Sequence, residues 1–96
     1  MPDSLETMSD VRRAIDAIDD ELVPLLARRL AAIHRASQLK QAPDEALVEW
    51  RVEQVAKRVG DRAASIGFNP EVAERIWRQM MAECIAYEER SIRDRA

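Results

Sequence analysis

Four ionisable residues of this 96-residue chain fall at positions where the surrounding pattern is apolar. Arg29 comes four residues after Leu25, and Lys40 four after Ala36. Arg51 lies three after Val48 and four before Val55, and Glu88 four after Cys84 and seven after Met81. A charge withdrawn from water without a partner is costly, so each of these needs one. Taken singly, each reads as a long side chain covering apolar surface, or as half of an internal ion pair such as Arg29 with Glu88. Taken together, three cations and one carboxyl point to a buried anion-binding pocket. A small molecule with more than one carboxylate suits that inventory. Spacing alone names neither the ligand nor the reaction.

The elements that must position these residues are helical. Gly is scarce, and Leu, Ala, Arg and Glu dominate, which predicts an all-α protein. Residues 1–8 read as a flexible N-terminal arm, and residues 9–96 as one helical domain. Ser9 is the expected N-cap, with Asp10 in the first turn. From there Val11, Ile15, Ile18, Leu22, Leu25, Arg29, Ala32 and Ala36 recur at alternating spacings of four and three. This seam predicts one long helix to about Lys40 or Gln41, continuing in phase across Pro24. Gln41-Ala42-Pro43-Asp44 is a break. A second helix is expected from about Glu45 to Ile66, with Val48, Val52, Val55 and Val59 on one stripe. Gly67-Phe68-Asn69-Pro70 reads as a stop, an N-cap and a first helical proline. A third helix then carries Ala73, Ile76, Trp77, Met80, Met81, Cys84 and Ile85, ending between Arg90 and Arg95.

A first helix of about 30 residues is ~45 Å long, while a compact chain of this size has a radius of gyration of only ~12–13 Å. The two shorter helices cannot cover that seam. The simplest solution is a homodimer in which the long helices pack along each other.

Several functions are disfavoured. The net charge of -3 argues against general nucleic-acid binding. Thirteen of the fifteen basic residues are Arg, a bias that GC-rich coding also produces. No apolar run approaches the ~20 residues of a membrane span, so no membrane association is expected. The acidic Met1-Pro2-Asp3-Ser4-Leu5-Glu6 start lacks signal-peptide features. A single cysteine, Cys84, offers no internal disulfide, and a reduced cytoplasmic location is the default expectation. There is no Gly-rich phosphate loop and no zinc spacing. His34, the one histidine, reads as a surface or partly buried residue and not as a metal ligand.

The residues also resemble a known family. Val11-Arg12-x-x-Ile15-Asp16-x-Ile18-Asp19-x-x-Leu22-Val23-x-Leu25-Leu26-x-x-Arg29, followed by Lys40, is similar to the first helix of the all-helical (AroQ-class) chorismate mutases. Arg51 in the second helix, and Trp77-Arg78-x-Met80-Met81 and Ile85-Ala86-Tyr87-Glu88 in the third, extend the resemblance over about residues 9–90. It implies an intertwined homodimer of three-helix chains that rearranges chorismate to prephenate, without metal or organic cofactor. By the resemblance, Arg29 would bind one substrate carboxylate within its subunit, and Arg12 would reach the other from the partner. Lys40 would hydrogen-bond the ether oxygen and a carboxylate. Arg51 would stand close to the pocket. Glu88 would face the ether oxygen from the other side, where many members have Gln and some Glu. A carboxyl there donates a hydrogen bond only when protonated, so activity is expected to fall as pH rises.

The chain departs from the family pattern in the second helix. Many members carry an acidic residue three before the second-helix Arg and a Glu just after it; here those positions are Val48 and Val52. Glu49 and Glu53 are each one residue further on, and a one-residue shift would bring Glu49 into the first role. The small polar residue expected four before Glu88 is Cys84, whose expected role is packing. An Arg-Val pair like Arg51-Val52 occurs in the related isochorismate pyruvate lyases, which form salicylate, and that activity is the alternative reading. A non-catalytic helical dimerisation module is a third; it accounts for the seam but leaves Arg12, Arg29, Lys40 and Glu88 unexplained as a set.

Overall fold

The computed structural model describes residues 5–95. Among them are three α-helices: α1 (Met8–Gln38), α2 (Glu49–Ser65) and α3 (Pro70–Arg95), with a 3-10 turn at Pro43–Glu45. The described chain is all-α, one long helix and two shorter ones, as its composition predicts. Part of the expected N-terminal arm, residues 1–4, lies outside the described residues. By its internal contacts the chain divides within α1, after Ala32.

Helix α1 starts two residues before the expected position because Thr7, not Ser9, caps it. Thr7 Oγ1 accepts the Asp10 backbone N–H at 3.1 Å, and Asp10 Oδ2 accepts the Thr7 N–H at 3.1 Å. The two side chains thus satisfy each other's backbone donors. Arg13 donates to Asp10 at 2.6 Å, and this bond, with the backbone bond from Thr7, holds the Asp10 carboxyl below its usual range. Pro24 lies inside the helix, which continues through it. In this first unit Ile15, Ile18, Leu22, Leu25, Leu26 and Leu30 are all exposed, Leu25 at 53%.

The second unit begins at Ile33. Here α1 ends at Gln38, short of the expected Lys40. Its last turn tightens through Leu39 N–H to Ala36 O at 3.1 Å and Lys40 N–H to Ser37 O at 3.3 Å. Of the expected first turn of the second helix, Glu45 closes a separate 3-10 turn and residues 46–48 are not helical. Glu45 reaches back to accept the Gln41 and Ala42 backbone N–H groups, which lowers the Glu45 pKa. Helix α2 then starts at Glu49, with Val48 as its extended N-cap residue.

Small residues bring α2 and α3 together. Ala56, Gly60 and Ala63 recur at four and three along α2 and are buried, as is Ala73 on α3. A β-carbon at Gly60 would sit 3.4 Å from the Glu74 side chain, so this face of α2 approaches α3 closely. The corner between them follows its sequence signals. Gly67 has φ of 78°, the left-handed conformation that favours glycine. Gly67 N–H donates to Ala64 O at 3.2 Å and Phe68 N–H to Ala63 O at 2.9 Å, the paired bonds of a Schellman stop. Asn69 Oδ1 then accepts the N–H groups of Glu71 and Val72, with Pro70 as the first helical residue. Helix α3 also packs on the 3-10 turn, where Ala46 is buried at its end.

Candidate active site

The site in the second unit is built on one face of α3. After Ala73, its buried residues are Met81, Glu88 and Ile92, and Arg95 continues the stripe one turn further. Spacings of seven, four and three keep all four on one side of a helix. Glu88 is therefore a carboxyl in a row of core positions, only 4% exposed.

Its partner is Lys40. The ammonium Nζ donates to Glu88 Oε1 at 2.9 Å, joining residues 48 apart in the chain. The Lys40 side chain retains 24% exposure against 5% for Glu88. The pair thus has a dry end and an end open to an incoming molecule. No buried side-chain nitrogen or oxygen among the described residues lacks a hydrogen bond.

Two further contacts hold the same region. Arg95 donates through Nη1 to Ser37 O at 2.9 Å, and through Nη2 to Lys40 O. Tyr87 Oη lies 2.8 Å from His34 Nδ1, with the rings 5.9 Å apart. Ser37 is buried, and its hydroxyl donates to His34 O at 2.6 Å. Residues 34–40 are thereby joined to α3 at three points. The sequence reading missed Arg95 and the His34–Tyr87 contact. The clue to Arg95 was its place seven and three residues on from Glu88 and Ile92.

The other candidate residues fall as follows. Arg51 is exposed, and its Nη1 donates to Gln54 Oε1 at 2.6 Å, so the expectation that it sits on the apolar stripe is not met. The α2 face that packs is that of Ala56, Gly60 and Ala63, while Val48, Val52, Val55 and Val59 are half-buried. Arg12 is exposed and Arg29 half-buried on α1, in the first unit. Of the five candidates, Lys40 and Glu88 are brought into contact.

The second-helix carboxylates have their own places. Glu53 forms a two-point bond with Arg78 of α3, at 2.8 and 2.9 Å. That bond lowers the Glu53 pKa and raises that of Arg78. Glu49 is exposed in the first turn of α2. Cys84 is half-buried on α3, consistent with packing.

Chemically, the arrangement offers a cation held by a buried carboxyl at the end of a helix. It suits a reaction in which a positioned donor meets developing negative charge. Among the described residues no helix is long and apolar enough to cross a membrane. No curated protein matches the chain significantly. The family model for chorismate mutase type II matches residues 11–89, a span that includes Arg12, Arg29, Lys40, Arg51 and Glu88, and the chain belongs to that family.

Proposed function

We propose that the chain is a chorismate mutase, acting as a homodimer on chorismate to give prephenate. The observation that carries this reading is the Lys40–Glu88 pair: a buried carboxyl and a partly exposed ammonium, 2.9 Å apart. The rearrangement is unimolecular: the ether C–O bond breaks as a C–C bond forms, and nothing is added or lost. Catalysis then consists of holding the two arms of the substrate in a chair-like approach and stabilising charge on the ether oxygen. Lys40 and Glu88 serve the oxygen. Arg12 and Arg29 bind the two carboxylates, with Arg51 near the pocket.

Helix geometry supports the dimer. Arg12 and Arg29 are 17 residues apart on one helix, roughly 25 Å at 1.5 Å per residue. One small dicarboxylate cannot be gripped by both from a single chain, so one arginine comes from a second copy. The exposed seam of Ile15, Ile18, Leu22 and Leu25 gives that copy a surface to pack on.

A second reading, isochorismate pyruvate lyase, draws on Val48, Val52 and the Glu53–Arg78 bond. With Glu53 engaged and no carboxyl at 48 or 52, the pocket has fewer groups to bind the ring hydroxyl of chorismate. Product analysis with each substrate decides. Prephenate from chorismate supports the mutase. Salicylate and pyruvate from isochorismate, with chorismate untouched, transfers the assignment to the lyase. If neither reacts and a dicarboxylate transition-state mimic fails to raise the Tm, the chain is a dimerisation module.

A further inference from the structure

We propose that Arg95 is a positioning residue for Lys40, acting through the backbone; this rests on the mutase reading for its catalytic consequence, but not for its structural one. Helix α1 ends at Gln38, and Lys40 lies two residues beyond, where the regular hydrogen-bond ladder has stopped. Carbonyls at a helix end lack intrahelical donors and carry the negative end of the helix dipole. One such carbonyl, Ser37 O, and the Lys40 carbonyl just beyond the helix are taken by the two arms of one guanidinium. The carbonyls flank Leu39, so a single planar fork fixes the backbone on both sides of the turn that delivers Lys40.

The same face of α3 holds the other end of the side chain. Glu88 binds the Lys40 ammonium, Ile92 is buried one turn on, and Arg95 grips the Lys40 backbone. Lys40 is thus fixed at its carbonyl and at its Nζ by residues two turns apart on one rigid helix. A long lysine side chain has rotamer entropy to lose on being aimed. Fixing the root as well as the tip reduces the directions in which it can stray. Lysine at position 95 would keep the charge but could not span two carbonyls with a planar pair of donors.

The chain provides its own internal reference. It has two lysines, Lys40 and Lys57, and Lys57 is 78% exposed in a pair with Asp61. Competitive acylation of the folded protein, read by mass spectrometry, gives the Lys40-to-Lys57 labelling ratio independently of any activity. Arg95→Ala and Arg95→Lys should each raise that ratio several-fold. Each should also lower kcat/KM for chorismate by about 10- to 100-fold, the scale on which a small misplacement of a reacting group acts. The loss should fall mainly on kcat, and millimolar guanidinium should restore part of it in Arg95→Ala. Arg95→Gln serves if the alanine variant does not fold. An unchanged labelling ratio overturns the proposal, as does a raised ratio with kcat/KM unaltered, or full recovery by lysine. If the wild type does not convert chorismate, the proposed function fails while the labelling ratio still decides the clamp.

Discussion

Lys40 and Glu88 form an ion pair of unequal burial: the carboxyl is almost sealed from water, and the ammonium is a quarter exposed. Removing the cation leaves a buried carboxylate without its partner, whereas glutamine at 88 leaves an amide oxygen that still accepts from Lys40. Lys40→Ala should therefore destabilise the fold more than Glu88→Gln does. Breaking a buried pair from one side costs about 3–5 kcal/mol, and the partial exposure of Lys40 puts the loss at the lower end. Urea unfolding of the two variants measures the difference; equal midpoints would show that the pair contributes no more than its packing.

The same position can be tested as a hydrogen-bond donor. Glu88→Gln keeps a side chain that can donate to an ether oxygen, and Glu88→Ala does not. The glutamine variant should retain most of kcat/KM, and the alanine variant should lose about 10²–10³-fold. Equal activities would remove Glu88 from the donor role.

Glu53 is predicted to be structural. Its two-point bond with Arg78 holds its pKa below the 4.5 usual for a glutamate. A carboxyl lowered in the folded state contributes stability that is present above its unfolded pKa and lost as pH falls through its folded one. Glu53→Gln should thus lower the Tm slightly at neutral pH, the pair being exposed and screened. The difference should begin to shrink as pH falls below 4.5 and vanish once Glu53 is protonated in the folded state, and kcat/KM should not change. A large loss of activity would place Glu53 in the substrate site.

Gly67 tests the corner. Its φ of 78° belongs to the left-handed region, where a side chain costs roughly 1–2 kcal/mol. Nothing lies within 4 Å of a β-carbon there, so the penalty of Gly67→Ala is conformational and not steric. Thermal unfolding should show a loss of that order with the helical content retained.

The exposed seam on α1 predicts that sedimentation will find a dimer. Leu22, 46% exposed at the middle of the seam, should shift the protein to monomer when changed to Glu. Activity should fall with it, since Arg12 and Arg29 would no longer meet around one substrate. A fully active monomer would refute the shared site.

Local signals were the legible part of this fold. Gly67, Asn69 and Pro70 act through bonds to neighbours a few residues away, and the sequence places them correctly. The alternating seam gives α1 and its passage through Pro24. Glu88 was legible as a misplaced charge, because the stripe it interrupts is local. Its partner was legible only through the family resemblance: the residues alone offered Arg29, since Lys40 is reached only by folding 48 residues back. The early end of α1 was hidden for a similar reason: it is fixed by Arg95, far along the chain, and by a tightened last turn. At the start of α1 two capping residues competed, and Thr7 prevails because it can exchange bonds with Asp10 three residues on. Arg51 was read as lying on the apolar stripe of α2, yet it is exposed and bonds Gln54, a contact within its own helix that the stripe does not reveal.

The three ties between residues 34–40 and α3 span separations of 53, 48 and 58 residues, closing nearly the same loop of chain. The entropy of closing a loop depends only logarithmically on its length, and it is incurred once for all ties that share it. After the first contact forms, the other two arise between groups already held near each other. The catalytic candidate Lys40 is therefore ordered at little additional entropic cost. The groups that keep it so are a tyrosine ring and an arginine fork with no part in the bond that breaks.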